Sequence, residues 1–316
     1  MRKYHPALTG FTLILFSLSA QAQTPNTAKR FFEQGQKSFA AGNLEAAFED
    51  YSRAIEISSR LDGRKNSPTN RLSAANELNS ADSADQVTVI DPFTAIAYAN
   101  RGVVRYQQHF LDNAMADFNA AIRISPRLAE AYVGRGVIYR VKGDFDSAGA
   151  DFDRAISIDP RLAEAYTDRA DFRIEKGDLE GALKDLDRAL ALKPSSAQTH
   201  SLLGHVRLLK NEFDSAIASF DRALELNPQS ASAYHGRGTT RVKRGDLELA
   251  VADFTRALEL NPDLSLSYMN RGLALMLQGK DIEAQKDFER CVTMDPGLSA
   301  ELRSRIELAK QVRAKE

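Results

Sequence analysis

AEAYVGRGVIYRVKGDFDSAGADFDRAISIDP, residues 129–160, is followed two residues later by AEAYTDRADFRIEKGDLEGALKDLDRALALKP, residues 163–194. The second stretch restates the first at a step of thirty-four: Tyr132 and Tyr166, Arg135 and Arg169, Gly143 and Gly177, Pro160 and Pro194. The step continues outward, placing Pro92, Pro126, Pro160, Pro194, Pro228, Pro262 and Pro296 in one progression. Self-similarity at a fixed period of 20 to 50 residues marks a solenoid, whose repeats bury their apolar faces only by stacking on neighbours.

With position 1 set three residues past each proline, position 4 is Phe31, Tyr98, Tyr132, Tyr166, Tyr234 and Tyr268, with His200 once. Position 8 is small throughout (Gly35, Gly102, Gly136, Ala170, Gly204, Gly238, Gly272) and position 20 is always alanine. Position 24 carries Tyr51, Phe118, Phe152, Phe220, Phe254 and Phe288, with Leu186 the exception. Positions 4, 8 and 11 share one helical face and 20, 24 and 27 another, so each repeat is two short antiparallel helices. Position 15 is Gly42, Gly143, Gly177, Gly245 and Gly279, or Asn211, suiting the left-handed residue that ends a helix; His109 departs from that rule. The proline closes the turn into the next repeat.

This pattern of aromatic, Gly, Ala, Phe, Ala and Pro resembles the tetratricopeptide repeat family over residues 28–61 and 95–298. The resemblance implies an all-α helical-hairpin solenoid, a right-handed superhelix whose first helices line a concave groove for peptides or proteins. Seven repeats are expected, at 28–61, 95–128, 129–162, 163–196, 197–230, 231–264 and 265–298. Residues 299–316 read as a charged amphipathic capping helix over the last apolar face.

A formal net charge of −1 and 43% hydrophobic residues describe a core-forming chain with no global attraction to nucleic acid or anionic membrane. Arg2 and Lys3, the apolar run Ala7 to Leu18 and Ala20-Gln21-Ala22 read as a signal peptide over residues 1–22. The alternative is an uncleaved anchor, for which the span is short. The mature protein is expected to be exported, periplasmic or secreted, without a stable membrane anchor. Cys291, standing where the other repeats have a packed alanine, reads as a core residue. Residues 62–94, rich in Asn, Ser, Asp and Ala, fit no register and read as an insertion with a flexible excursion from Asp62 to about Gln86.

Position 7 carries Arg101, Arg135, Arg169, Arg237 and Arg271, and sixteen residues later stand Asp117, Asp151, Asp185, Asp253 and Asp287. In the fifth repeat both change together, to Leu203 and Ser219, and in the first Gln34 faces Asp50. Coupled loss within one chain points to architectural ion pairs. Arg169→Leu is therefore expected to lower the melting temperature more than Arg169→Leu combined with Asp185→Ser. Arg105, Arg173, Arg207 and Arg241 at position 11 have no equally obvious partner, which leaves open a polyanion- or polysaccharide-associated role.

The resemblance places the groove at positions 2, 5, 6, 9, 12 and 13 of the first helices. There the second repeat offers Asn100 and Tyr106, the third Glu130 and Arg140, and the fourth Glu164, Asp168 and Asp171. The fifth and sixth offer His205 and His235, and the seventh Met269, Asn270, Leu273 and Met276. An acidic middle and an adaptable apolar end suit an extended segment with a basic middle and an apolar anchor. The same Leu and Met residues serve self-association equally well, or lie under the terminal helix. A carboxylate-clamp ligand is rejected, since Asn100 alone fits that pattern.

No Gly-rich phosphate loop, nucleophile elbow or zinc-ligand spacing is visible, so neither catalytic residue, metal nor cofactor is expected. Asp171, His205 and His235 are the one grouping from which a metal or acid–base site could be built. The reading is a non-enzymatic scaffold that holds a protein or peptide partner, in assembly of an envelope complex; a self-assembling structural protein is the further alternative.

Overall fold

A computed structural model describes residues 26–65 and 92–314. The expected signal peptide and residues 66–91 of the expected insertion lie outside the described residues. The described chain falls into two compact units, one ending at Phe172 and one beginning at Arg173. The first holds α1 (Asn26–Ala40), α2 (Leu44–Lys65), α3 (Pro92–Gln107), α4 (Leu111–Ile124), α5 (Ala129–Lys142) and α6 (Phe145–Ile158). α7 (Ala163–Glu175) crosses the boundary. The second unit continues with α8 (Leu179–Leu192), α9 (Ala197–Leu209), α10 (Phe213–Leu226), α11 (Ala231–Arg244), α12 (Leu247–Leu260), α13 (Ser265–Leu277) and α14 (Asp281–Met294). A 3-10 turn, Pro296–Leu298, leads into α15 (Ser299–Arg313). No strand occurs among the described residues.

Two boundaries differ from the sequence reading. α2 runs through Lys65, into the expected insertion, and α3 opens on Pro92 itself rather than at residue 95. Proline at a first helical position loses no hydrogen bond, because that N–H has no intrahelical acceptor, and its fixed φ already suits the helix.

The ring at position 24, where present, fixes how near the helices come, both within its repeat and at the junction with the next. Tyr51, Phe118, Phe152, Phe220 and Phe254 are fully or almost fully buried. A Cβ at Gly134 would sit 2.3 Å from Phe118 and one at Gly236 2.5 Å from Phe220, so hydrogen is the only side chain those approaches admit. Several helices carry side-chain N-caps: Asp144 accepts from the Ser147 N–H, Asp178 from Gly181, Ser196 from Thr199 and Ser230 from Ala233. The position 15 glycines all have positive φ, and His109 (φ 65°) and Asn211 (φ 62°) adopt the same conformation. His109 thus keeps the backbone turn at a steric cost that glycine avoids. His109→Gly is expected to raise stability by about 0.5–1 kcal/mol, read from urea midpoints; an unchanged midpoint contradicts this.

The arginine at position 7 proves to be a two-sided clamp. Forward by sixteen residues it forms a bidentate pair with the position 23 aspartate: Nε and Nη2 of Arg101, Arg135, Arg237 and Arg271 donate to Asp117, Asp151, Asp253 and Asp287 at 2.7–3.2 Å. Back by one repeat, Nη1 donates to position 25 of the preceding repeat's second helix. Arg101 reaches Ser52 (3.2 Å), Arg135 Asn119 (2.9 Å), Arg169 Asp153 (2.7 Å), Arg237 Asp221 (2.5 Å) and Arg271 Thr255 (3.2 Å). Each guanidinium also lies 5.2–5.7 Å from the ring centroid of the position 4 tyrosine one turn earlier, a cation–π contact. Of the expected pair Arg169 and Asp185, Arg169 belongs to the first unit, whereas Asp185 lies in the second, where Arg173 reaches it.

Position 11 corrects the sequence reading. Arg105, Arg173 and Arg241 donate to the same aspartates, Asp117, Asp185 and Asp253, at 2.7–2.8 Å, and Arg207 donates to Ser219 Oγ at 2.7 Å. One buried aspartate thus serves two cations four residues apart, one helical turn on the facing helix, and these arginines are not spare charges for a polyanion. A second ladder runs along the interhelical loops, where Lys142 meets Asp112, Lys210 meets Glu180 and Arg244 meets Asp214.

Candidate interaction face

In the first compact unit, α3, α5 and the first part of α7 bring Tyr106, Arg140, Asp168 and Asp171 together. Arg140 Nη1 donates to Asp171 Oδ2 at 2.7 Å, both side chains being mostly buried. Tyr106 is 4% exposed, and burial, offset by Arg140 and reinforced by Asp168 and Asp171, pushes its hydroxyl up to about 12. Asp168 keeps part of its surface open. Desolvation nevertheless drives its carboxyl to about 7; Arg140 pulls it down, while Asp171 and Glu164 push it up. Glu130 is raised by burial as well, with Asp159 and Glu164 adding to the shift. Among the described residues the carboxyls of Glu130, Glu164, Asp168 and Asp171 follow one another along this face, and Arg140 is held by Asp171. Asn100, expected to line it, is wholly buried.

The second unit presents a different surface. His235 is buried, with Nδ1 2.7 Å from Ser267 Oγ and its ring 5.6 Å from that of Phe254. Burial, and next the charge of His205, hold its imidazole down at about 4. His205 is only partly buried. Of the sequence grouping, Asp171 belongs to the first unit, while His205 and His235 lie in the second, where His235 bonds to Ser267. Among the described residues no three His, Cys, Asp or Glu side chains converge as a metal set.

The imidazole makes stability acid-sensitive. The folded state refuses a proton that the unfolded chain accepts near pH 6.5, so this group's contribution is intact above that pH and lost on descent towards 4. The loss amounts to about 3 kcal/mol by pH 4. His235→Gln is expected to flatten that limb in urea titrations at pH 7 and pH 4.5; an equally steep fall contradicts the assignment.

At the end of the chain Met269 is 0% and Met276 7% exposed, in one cluster with Leu298, Leu302 and Ala309 of the terminal segment, and Leu273 and Ile306 pack against it. Arg313 Nη1 donates to the Met276 carbonyl (2.9 Å) and Asp281 (2.6 Å), and Arg305 to Asn270 Oδ1 (3.3 Å). The expected apolar end is therefore not an open surface: α15 covers it. Cys291, in the same cluster, is wholly buried, and burial raises its thiol.

Sequence models of the tetratricopeptide repeat match residues 129–162, 167–231, 238–279 and 266–298. The chain belongs to the tetratricopeptide repeat family. Solved structures agree in fold. Cut9–Hcn1, the APC/C hetero-tetramer, matches with a TM-score of 0.63 at 16% identity over 87% of this chain and 55% of that one. PilW, a widely conserved type IV pilus biogenesis factor, matches at 0.59 and 21% identity over 71% of this chain and 100% of its own. A tetratricopeptide repeat protein from Parabacteroides merdae matches at 0.56 and 18% identity over 90% and 99%. No curated protein matches the chain. Tetratricopeptide scaffolds bind peptides or proteins and are generally non-enzymatic.

For this tetratricopeptide chain the face is narrower than the family positions imply. Position 5 is buried in Ala99, Val133, Thr167, His235 and Met269. Successive first helices approach closely enough for position 5 to meet the next helix, as His235 meets Ser267. That removes His235 and Met269 from the solvent-facing set. Among the described residues no helix is long and apolar enough to cross a membrane.

Proposed function

We propose that this tetratricopeptide protein is a non-enzymatic scaffold that holds a protein or peptide partner against the face built by α3, α5 and the first part of α7. One observation carries the reading: Asp168 and Asp171 lie beside Arg140, Glu164 and Glu130 extend the acidic face, and burial with the neighbouring carboxylates Asp171 and Glu164 raises Asp168 to about 7 despite Arg140. Perturbed groups of this kind gather where a ligand completes the electrostatics. The partner's matching chemistry is an extended segment with Lys or Arg at its centre. The signal-like start supports an exported, periplasmic or secreted protein acting in an envelope assembly, and N-terminal sequencing of the mature chain, expected to begin at Gln23, tests that part.

The binding test uses calorimetric titration of residues 23–316 with extended peptides carrying central lysines, and with the same peptides carrying central glutamates. The lysine series is expected to bind, to weaken about tenfold on Glu164→Gln with Asp168→Asn, and to lose affinity with salt. Equal binding of both series, or none, overturns the reading.

A further inference from the structure

Within the second compact unit one repeat junction lacks the clamp that closes the others. At α10–α11 and α12–α13, Arg237 and Arg271 each tie Asp253 or Asp287 to the preceding helix through Asp221 or Thr255. The first unit has the same backward ties from Arg101, Arg135 and Arg169. At α8–α9 the equivalent position is Leu203, which is buried and has no hydrogen bond to offer the exposed Asp187 sixteen residues before it. The position 23 partner is Ser219, turned to Arg207 and to the Ser215 carbonyl. The ring at position 24 of α8 is replaced by Leu186. His200, standing for the tyrosine, keeps only the bond to the Pro194 carbonyl (3.0 Å), as Tyr132 and Tyr166 do to Pro126 and Pro160. Four substitutions, Leu203, Ser219, Leu186 and His200, thus fall at or beside one junction and convert it from directional to non-directional contact.

A bidentate arginine has a fixed fork and loses its bonds when either helix slides, whereas buried leucines such as Leu186 and Leu203 keep their burial over a range of offsets. We propose that the α8–α9 junction is a built-in shear joint, the place where the second unit's repeats slide and adjust curvature while α10 to α14 move as one block. The joint keeps one tether, Lys210 to Glu180 (2.8 Å), a flexible lysine on the exposed loop ridge that permits sliding while limiting separation.

The test is a spin-label distance distribution by double electron–electron resonance on the full mature chain, with Cys291→Ala to remove the native thiol. Labels at Arg188→Cys and Gln198→Cys span α8–α9; labels thirty-four residues on, at Arg222→Cys and Ser232→Cys, span α10–α11. The first distribution is expected to be about twice as wide as the second, and Leu203→Arg with Ser219→Asp is expected to narrow it to match. Equal widths, or a width that this restoring variant leaves unchanged, overturns the proposal. Should the restoring variant fail to fold, Arg237→Leu with Asp253→Ser copies the fifth repeat onto α10–α11; broadening there supports the joint and an unchanged width overturns it.

Discussion

Asp253→Ser is expected to cost about 3–5 kcal/mol, the largest single effect in the molecule, while Asp253→Ser with Arg237→Leu recovers most of that loss. Asp253 is 3% exposed and accepts from Arg237 and Arg241 together. Removing it leaves two mostly buried guanidinium groups with their desolvation uncompensated; breaking one side of such a pair is far more damaging than replacing both. The double variant is a combination the chain already contains, since the fifth repeat carries Leu203, Arg207 and Ser219 in those three places. Urea unfolding of the three proteins checks this, and equal losses in single and double variants contradict it.

Asp168→Asn is expected to stabilise the protein by about 2–4 kcal/mol at pH 8 and to have little effect at pH 4. An unfolded aspartate releases its proton near pH 4, whereas the folded carboxyl holds it to about 7. Between those values the folded state binds more protons, so this group's contribution falls as pH rises, and the penalty is complete above 7. Asparagine never carries the charge. Urea midpoints at both pH values separate this from a general packing effect, which would be the same at each. The same substitution weakens a cationic partner, so stability and binding move in opposite directions, as expected where a strained charge is kept for a ligand.

Much of the fold was legible because the repeat supplies its own comparison. The joint change of Arg and Asp to Leu203 and Ser219 marks the forward pairs in the sequence itself. The backward tie escaped notice because its acceptors, Ser52, Asn119, Asp153, Asp221 and Thr255, share only the ability to accept a hydrogen bond. The position 11 arginines looked spare because their acceptor was already assigned, and one carboxylate has lone pairs for two cations. On the face itself, Tyr106, Arg140, Asp168 and Asp171 were all named from sequence, and the structure adds that Arg140 is held by Asp171. His235 and Met269 were misplaced because burial between successive first helices depends on how closely repeats stack, a distance no single repeat encodes. The burial of Met276 under the terminal helix was one of the alternatives the sequence left open, and Leu302, Ile306 and Ala309 of α15, at repeat spacing, are the residues in or against its cluster.

The two-way reach of the position 7 arginine gives the chain an unusual freedom of length. Where position 7 is arginine and successive repeats follow without a break, the backward partner lies sixteen residues off, so such a repeat carries one half of the bond to each neighbour. A thirty-four-residue segment duplicated in place arrives with both halves and needs no compensating change in the flanking sequence. The insertion between the first two repeats shows the tolerance from the other side: Arg101 finds Ser52 across forty-nine residues of chain. Such a molecule can grow or shrink by whole repeats while its seams remain chemically closed.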